Sequence, residues 1–429
     1  MVFLAALGRL GIDARYLIAS SSIRALTGMG ISGVLLNLYV IRLGYGPIFI
    51  GLFNGIAIVI GAGVSPVAGA LSRRWGARRS MLTGLAIAVS GGLLLPLADL
   101  LPGNMTTAWL IGTNVLALVG SMLFYVNLTP YLAAVTGPRE RSTAFSVRFS
   151  LQLLGSSVGS VMGGLLPGAF AWITGAALSN PSSYRFALLV GAVLLLAAVF
   201  FVQRGREVQA GPEVDTASGT RSTPWKLLML IGLVSFMVTP AEAAAWIFFN
   251  VYADTVLRVP TVQIGFVVAA AQLLGVPVAL MMPAAGSRLG TGRAAALSAF
   301  GIALSLLPMA LIPNFAAAGL GFVGVLTFGA ILAPALNVYL TEVAPGEWLS
   351  SATGVSLGGT AAAFALVALG GGFLITALGY TGFFLISALM TAVGVLVFRA
   401  TLLRGSAFVA ALDDYQIDQP EPLSPRSDY

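Results

Sequence analysis

Twelve apolar runs, each long enough to cross a bilayer, occupy most of this 429-residue sequence. They lie at 16–41, 47–71, 81–101, 108–135, 142–169 and 184–202, then at 225–252, 262–285, 294–312, 315–340, 351–375 and 380–398. A hydrocarbon core about 30 Å thick takes about 20 helical residues to cross. Charged residues are only 9% of the chain, against about 25% in a soluble domain. A chain this apolar uses lipid as its solvent. Lipid offers backbone N–H and C=O groups no partners, so each crossing satisfies its own as a helix. The expected fold class is an all-α membrane protein with twelve transmembrane helices.

Polar stretches divide the series. Residues 204–224 hold Gly, Pro, Ser, Thr and charges and read as a linker. The predicted organisation is a six-helix bundle over 1–203, the linker, a second six-helix bundle over 225–403, and a disordered tail over 404–429. No cleavable leader is evident in residues 1–10, so the first span is expected to serve as the insertion signal.

Charge orients the chain. With both ends on one side, that side collects Arg9, Arg15, Arg73, Arg74, Arg78, Arg79, Arg139, Arg141, Arg204, Arg206, Arg221, Lys226, Arg288, Arg293, Arg399, Arg404 and Arg426. The other side has Arg42, Arg185 and Arg258. Basic residues in short loops mark the cytoplasmic face, so both termini are expected there. A net charge of +7 therefore reports topology and anionic headgroups rather than nucleic acid.

The halves repeat. Asn37-Leu-Tyr39 is echoed by Asn250-Val-Tyr252, Ile50-Gly51 by Ile264-Gly265, and Arg74-Trp-Gly76-x-x-Arg79 by Arg288-Leu-Gly290-x-x-Arg293. Tyr131-Leu132 is echoed by Tyr339-Leu340. Four landmarks in order, at nearly constant offset, predict two bundles related by a pseudo-two-fold axis.

The stretch from Gly69 to Arg79 carries four arginines that no hydrocarbon-spanning helix could hold, so a loop is expected there. Its pattern Gly69-x-Leu71-Ser72-x-Arg74-x-Gly76-x-Arg78-Arg79 resembles the loop between spans two and three of the major facilitator superfamily. One departure is Arg73, where that family usually has Asp. With twelve spans, a mid-chain linker and the echoed loop, the resemblance covers nearly the whole chain. It implies alternating access, with two bundles rocking about a central site and this loop contacting the opposing half in one state.

Glu242 is the only acidic residue well inside a span. A charge there is costly, about 2.5–3.5 kcal/mol on insertion scales, so it marks a functional site by default. Pro240, two residues earlier, removes a backbone donor and favours a bend in span seven. Arg24, inside span one, stays charged at any relevant pH. It is placed to hold an anionic group or to neutralise Glu242. Arg148 lies nearer the membrane edge and is read as snorkelling or as pairing with Glu140.

Uncharged polar residues in apolar spans need partners, so they should face the bundle interior. The expected substrate cavity is lined by Arg24, Asn37, Asn54, Asn127, Gln152, Glu242, Trp246, Phe249, Asn250, Gln272 and Asn337. Asn37 and Asn250, with Tyr39 and Tyr252, are expected to form an outer gate. The glycine stripe Gly155, Gly159, Gly163 and Gly164 permits close helix approach. It is similar to the superfamily's antiporter motif, but Ser146 stands for its first glycine and Ser160 for its proline, so packing is its expected role.

The sequence has no Cys and no His. It offers neither a metal-ligand set nor the cluster of His, Asp or Ser that a membrane enzyme would need, and no phosphate-binding loop for a pump. No cofactor is expected. The predicted function is secondary active transport of a small organic solute, coupled to protons through Glu242 and Arg24, with efflux placed ahead of uptake. The predicted partners are solute, protons and the bilayer, with the chain a monomer in the inner membrane of a prokaryote. The alternatives are a uniporter or exchanger without proton coupling, and a non-transporting sensor or scaffold. For topology, single cysteines at Ser218 and Ser427 should resist an impermeant thiol reagent applied outside intact cells; labelling at either would reverse the orientation.

Overall fold

The computed structural model describes residues 10–207, 225–344 and 348–403. The expected tail 404–429 and all but the first four residues of the expected linker lie outside the described residues. Every long element is a helix. The first six are α1 (Ile12–Arg42), α2 (Pro47–Trp75), α3 (Ala77–Leu100), α4 (Gly103–Val135), α5 (Pro138–Thr174) and α6 (Pro181–Arg204). They are followed by α7 (Trp225–Thr255), α8 (Thr261–Leu289), α9 (Thr291–Leu311) and α10 (Phe315–Val343).

The last helical stretch, Leu349–Phe398, is 50 residues long. At 1.5 Å per residue it would run about 75 Å, far beyond one crossing. Gly379 breaks it with φ +71°, a conformation open to glycine at little cost. The result is α11 (349–378) and α12 (380–398), an arrangement among the described residues consistent with the twelve helices expected.

The basic stretch is not a loop. α2 continues through Arg73 and Arg74 to Trp75, and α3 begins at Ala77. The whole reversal falls on Gly76, with φ +89°. The expectation failed because arginines tolerate a helix end, where their long stems carry the charge out to water. Gly290, with φ +83°, performs the same reversal between α8 and α9.

The halves meet through two equivalent pairs of helices, α2 with α11 and α8 with α5. At Gly51 an added Cβ would lie 2.4 Å from the Ala368 carbonyl, and at Gly265 it would lie 2.6 Å from that of Ser160. At Gly372 it would meet the Pro47 carbonyl at 2.4 Å, and at Gly164 that of Val262 at 3.1 Å. Each contact on one side has its repeat-related copy on the other. In lipid, helix association rests on this kind of small-residue approach, which explains the echoed Ile-Gly.

The glycine stripe of α5 lies close against α1. A Cβ at Gly155 would strike the Ser22 carbonyl at 2.6 Å, and one at Gly159 the Leu26 carbonyl at 2.0 Å. The segment of α1 opposite, Leu26–Ser32, is a π-helical turn. Such turns are rare and frequently lie at functional sites.

Burial shows which end is shut. Around Ile31–Val40, Ile50 and Phe53, the first half shares one apolar core with the second. Toward the arginine-rich face it has a core of its own, from Leu17 and Ile18 to Met81, Phe124 and Val202. The two halves are therefore joined at the face of Arg42 and separate toward the face of Gly76. Gly265→Ala should lower stability by about 1–3 kcal/mol through overpacking, whereas Gly168→Ala, with open space around it, should be near neutral; thermal unfolding of the purified protein checks both.

Candidate functional site

The seal at the Arg42 face is built from α1 and α7. The Asn37 amide donates to the Ile247 carbonyl at 2.9 Å, and the Asn250 amide donates to that of Gly33 at 2.8 Å. The exchange is reciprocal: an asparagine on each helix caps the backbone of the other, as at an isologous interface. Asn54 of α2 supports it by donating to Asn37 Oδ1 at 2.9 Å. Tyr39 and Tyr252 take no part. Tyr39 donates to the Pro96 carbonyl within its own half, and Tyr252 packs on Tyr380 and Phe384.

One turn further out, Arg42 grips Asp254 through both terminal nitrogens, at 2.8 and 2.5 Å. It also donates to the Tyr184 hydroxyl at 3.1 Å, and that hydroxyl meets Thr261 at 3.0 Å. Sequence reasoning missed this pair. Its signal was the repeat itself: Arg42 and Asp254 stand close to the repeat offset, so a two-fold axis between α1 and α7 brings them face to face.

Below the seal, α1, α3, α4 and α6 line a partly open cavity of about 320 Å³. Arg24 lines it, half-buried. Its Nη2 donates to the Ser121 hydroxyl, and its guanidinium carbon lies 5.8 Å from the Tyr125 ring centre. Its Nε is buried without a partner. Met29, another lining residue, is 3.9 Å from the Gln152 amide, whose oxygen accepts from Arg148 Nη2 at 3.0 Å. Arg148 therefore turns inward to Gln152 rather than toward Glu140, and it lies within electrostatic reach of Tyr125. Among the described residues neither arginine pairs with a carboxylate; the ion pairs are Arg42–Asp254, Arg79–Glu207, Arg185–Asp99 and Arg206–Asp13.

Glu242 belongs to the other half. α7 breaks at Thr239 into Trp225–Val238 and Pro240–Thr255, as Pro240 led the sequence to suggest. Glu242 falls in the first turn of the second piece, where the helix dipole favours a carboxylate. The Ala241 N–H, freed by the break, donates to Thr391 of α12 at 2.9 Å. Glu242 is half-buried. Its carboxylate lies on the Trp246 side and against Gly329 of α10. Trp246 and Phe249 both pack on Phe322, with ring centres 6.2 and 4.1 Å away. Arg24 and Glu242 are not brought together here: each lies within its own half.

The remaining expected cavity residues divide. Asn127 is buried and ties α4 to α3 by donating to Ser80 at 3.1 Å. Gln272 is buried and accepts from Ser160 at 3.1 Å, across α8 and α5. Phe249 is fully buried, and Asn337 is exposed.

The turn at Gly76 rests on its own half. The Arg78 N–H donates to Glu207 at 3.0 Å, its Nε to the Val202 carbonyl at 3.2 Å and its Nη2 to that of Gln203. Arg79 faces Glu207 at 3.8 Å. Gly69, Leu71 and Arg74 lie on the last turns of α2.

Because Arg42 and Asp254 are both shielded, with side chains 19% and 8% exposed, either charge alone is poorly satisfied. Arg42→Ala should cost about 1.5–3 kcal/mol. A double-mutant cycle with Asp254→Ala, read by thermal unfolding, should show clear coupling, the double variant losing less than the sum.

Comparison with known proteins bears on the family and the fold. Residues 17–355 match the Major Facilitator Superfamily. A multidrug resistance protein MdtH of Proteus mirabilis (strain HI4320) is 28% identical over 166 residues, 38% of this chain and 36% of that protein. The MdtH of Yersinia enterocolitica is 26% identical over 160 residues, 37% of this chain and 35% of its own length. The chain thus aligns with about a third of the length of these curated relatives. The fold resembles the nucleoside transporter NupG (TM-score 0.70, 16% identity, 91% of this chain and 99% of that one). It also resembles a bacterial homologue of the iron transporter ferroportin in an inward-facing state (TM-score 0.66, 15% identity, 90% and 98%). With its match extending through both halves and its twelve helices arranged as theirs are, the chain belongs to the Major Facilitator Superfamily, a family of transporters and not of enzymes.

Proposed function

We propose that the protein is a proton-coupled secondary transporter that exports a small organic solute by alternating access. The halves 1–203 and 225–403 rock as units about the contact of α1 with α7, joined by the linker 204–224. The observation that carries the reading is the division of deep charge: arginines without acids in the first half, and one carboxylate, Glu242, in the second. A half-buried carboxylate on the open side of a seal is placed to take up a proton in one state and give it up in the other. In the carboxylate form its charge is favoured by the helix N-terminus on which it lies. As the halves rock, its surroundings change, and with them the relative cost of the charged and neutral forms.

The seal supports the gate role expected of Asn37 and Asn250. Each amide would be left unpaired by parting α1 from α7 unless water enters, so the switch is two-state rather than gradual. With the arginine-rich face cytoplasmic, the state described here is inward-facing. The likeness to multidrug resistance proteins favours export. The Gly76 turn and Glu207 hold α2, α3 and α6 together, and Arg73 in place of the family's Asp leaves Glu207 the acid nearest that turn.

In proteoliposomes, Glu242→Gln should retain solute exchange and lose accumulation driven by a pH gradient. Unchanged gradient-driven accumulation in that variant would remove the proton role and leave an exchanger or uniporter.

A further inference from the structure

The cavity inside the first half has a composition that names a ligand. We infer that it binds an organic anion, an amphipathic carboxylate, with the acid group on the Arg24 guanidinium and the apolar body among α3, α4 and α6. The inference rests on the transport reading for its purpose, but not for its chemistry.

The argument begins with charge. Arg24 and Arg148 are both half-buried in the same bundle, and an arginine does not shed its proton to escape burial. Among the described residues no carboxylate approaches either one. Their hydrogen-bond partners are neutral: Ser121 for Arg24 and Gln152 for Arg148. Both Nε atoms are buried without an acceptor. Leaving a buried charge uncompensated is costly, and every other shielded arginine of the seal and its flank, Arg42 and Arg185, has an aspartate. A bound anion would supply the missing acceptor at Arg24.

Shape and lining then narrow the class. About 320 Å³ is at the lower end of small-molecule sites, enough for a monocyclic or short-chain acid. Away from Arg24 most of the wall is apolar, with Met29, Leu95, Met122, Leu188 and Leu195, while Thr27, Ser32 and Asn114 add a few polar groups; that balance suits an amphipathic body better than a polyphosphate. The Arg24 side chain lies over Gly28 in the π-helical turn, where a Cβ would sit 1.8 Å from Nη1. The widened turn and the missing side chain together make the space in which the guanidinium lies. Arg148 stands behind the wall, its partner Gln152 lying 3.9 Å from Met29, and its charge adds at longer range to the pull on the same anion.

The test is thermal stabilisation of the full-length purified protein, without any gradient, so that a failure of proton coupling cannot affect it. Benzoate, 1-naphthoate and octanoate are compared with their neutral amides and with chloride at equal concentration. The carboxylates should raise the melting temperature and their amides should not. Arg24→Gln should weaken carboxylate binding about tenfold or more, Arg148→Gln by a smaller factor, and Arg258→Gln not at all. If Arg24→Gln does not fold, Arg24→Lys, which keeps the charge but loses the planar fork, should still bind measurably more weakly than the native protein. Equal stabilisation by the amides, or none by any of the three acids, overturns the proposal. An effect of chloride matching that of the acids overturns it in favour of an inorganic anion site.

Discussion

The structure depends on backbone meeting backbone across the axis between two six-helix halves. In water, burial of apolar surface would press such halves together. In lipid that force is absent between helices, and contact has to come from close packing and polar exchange. This chain supplies both at one end. Glycines on α2, α5, α8 and α11 let carbonyls approach where a methyl group could not fit. Asparagines on α1 and α7 each cap the other helix's backbone. The seal is a small set of specific contacts, and a contact of that kind is either made or broken. That is the mechanical property an alternating machine needs.

Symmetry explains why the functional groups are unlike each other. The contacts holding the halves together are duplicated, because both halves must offer the same surface to the axis. The deep charges are not duplicated. Arg24 has no acidic counterpart at the matching place in the second half, and Glu242 has none in the first. Arg42 and Asp254 sit at nearly matching positions with opposite sign. Where the repeat is kept, the residues carry the fold. Where it is broken, they carry charge: Arg42 and Asp254 paired with each other, Arg24 and Glu242 each within its own half.

The all-helical membrane fold was legible along the chain, because the length and polarity of each apolar run are local properties. Glu242 and Pro240 were also legible, since one deep carboxylate beside a proline stands out in any apolar run. Less was legible about partners. Asn127 and Gln272 look like cavity residues in sequence but are spent on neighbouring helices, because a span cannot show which of its faces meets protein. Arg148 looked like a snorkelling residue and instead turns inward to Gln152.

By itself the sequence determined that the chain lives in lipid, crosses it as helices, repeats once and concentrates its arginines at one face. Those properties follow from the length and polarity of local segments, which lipid reads one helix at a time. Only the tertiary structure decided that the basic stretch turns on Gly76 alone, that α1 opens into a π-helical turn beside Arg24, and that Arg42 closes on Asp254. It also decided that Arg24 and Glu242 face their own halves in this state. These are matters of rotation and register between helices, set by the summed fit of many side chains and encoded in no single segment.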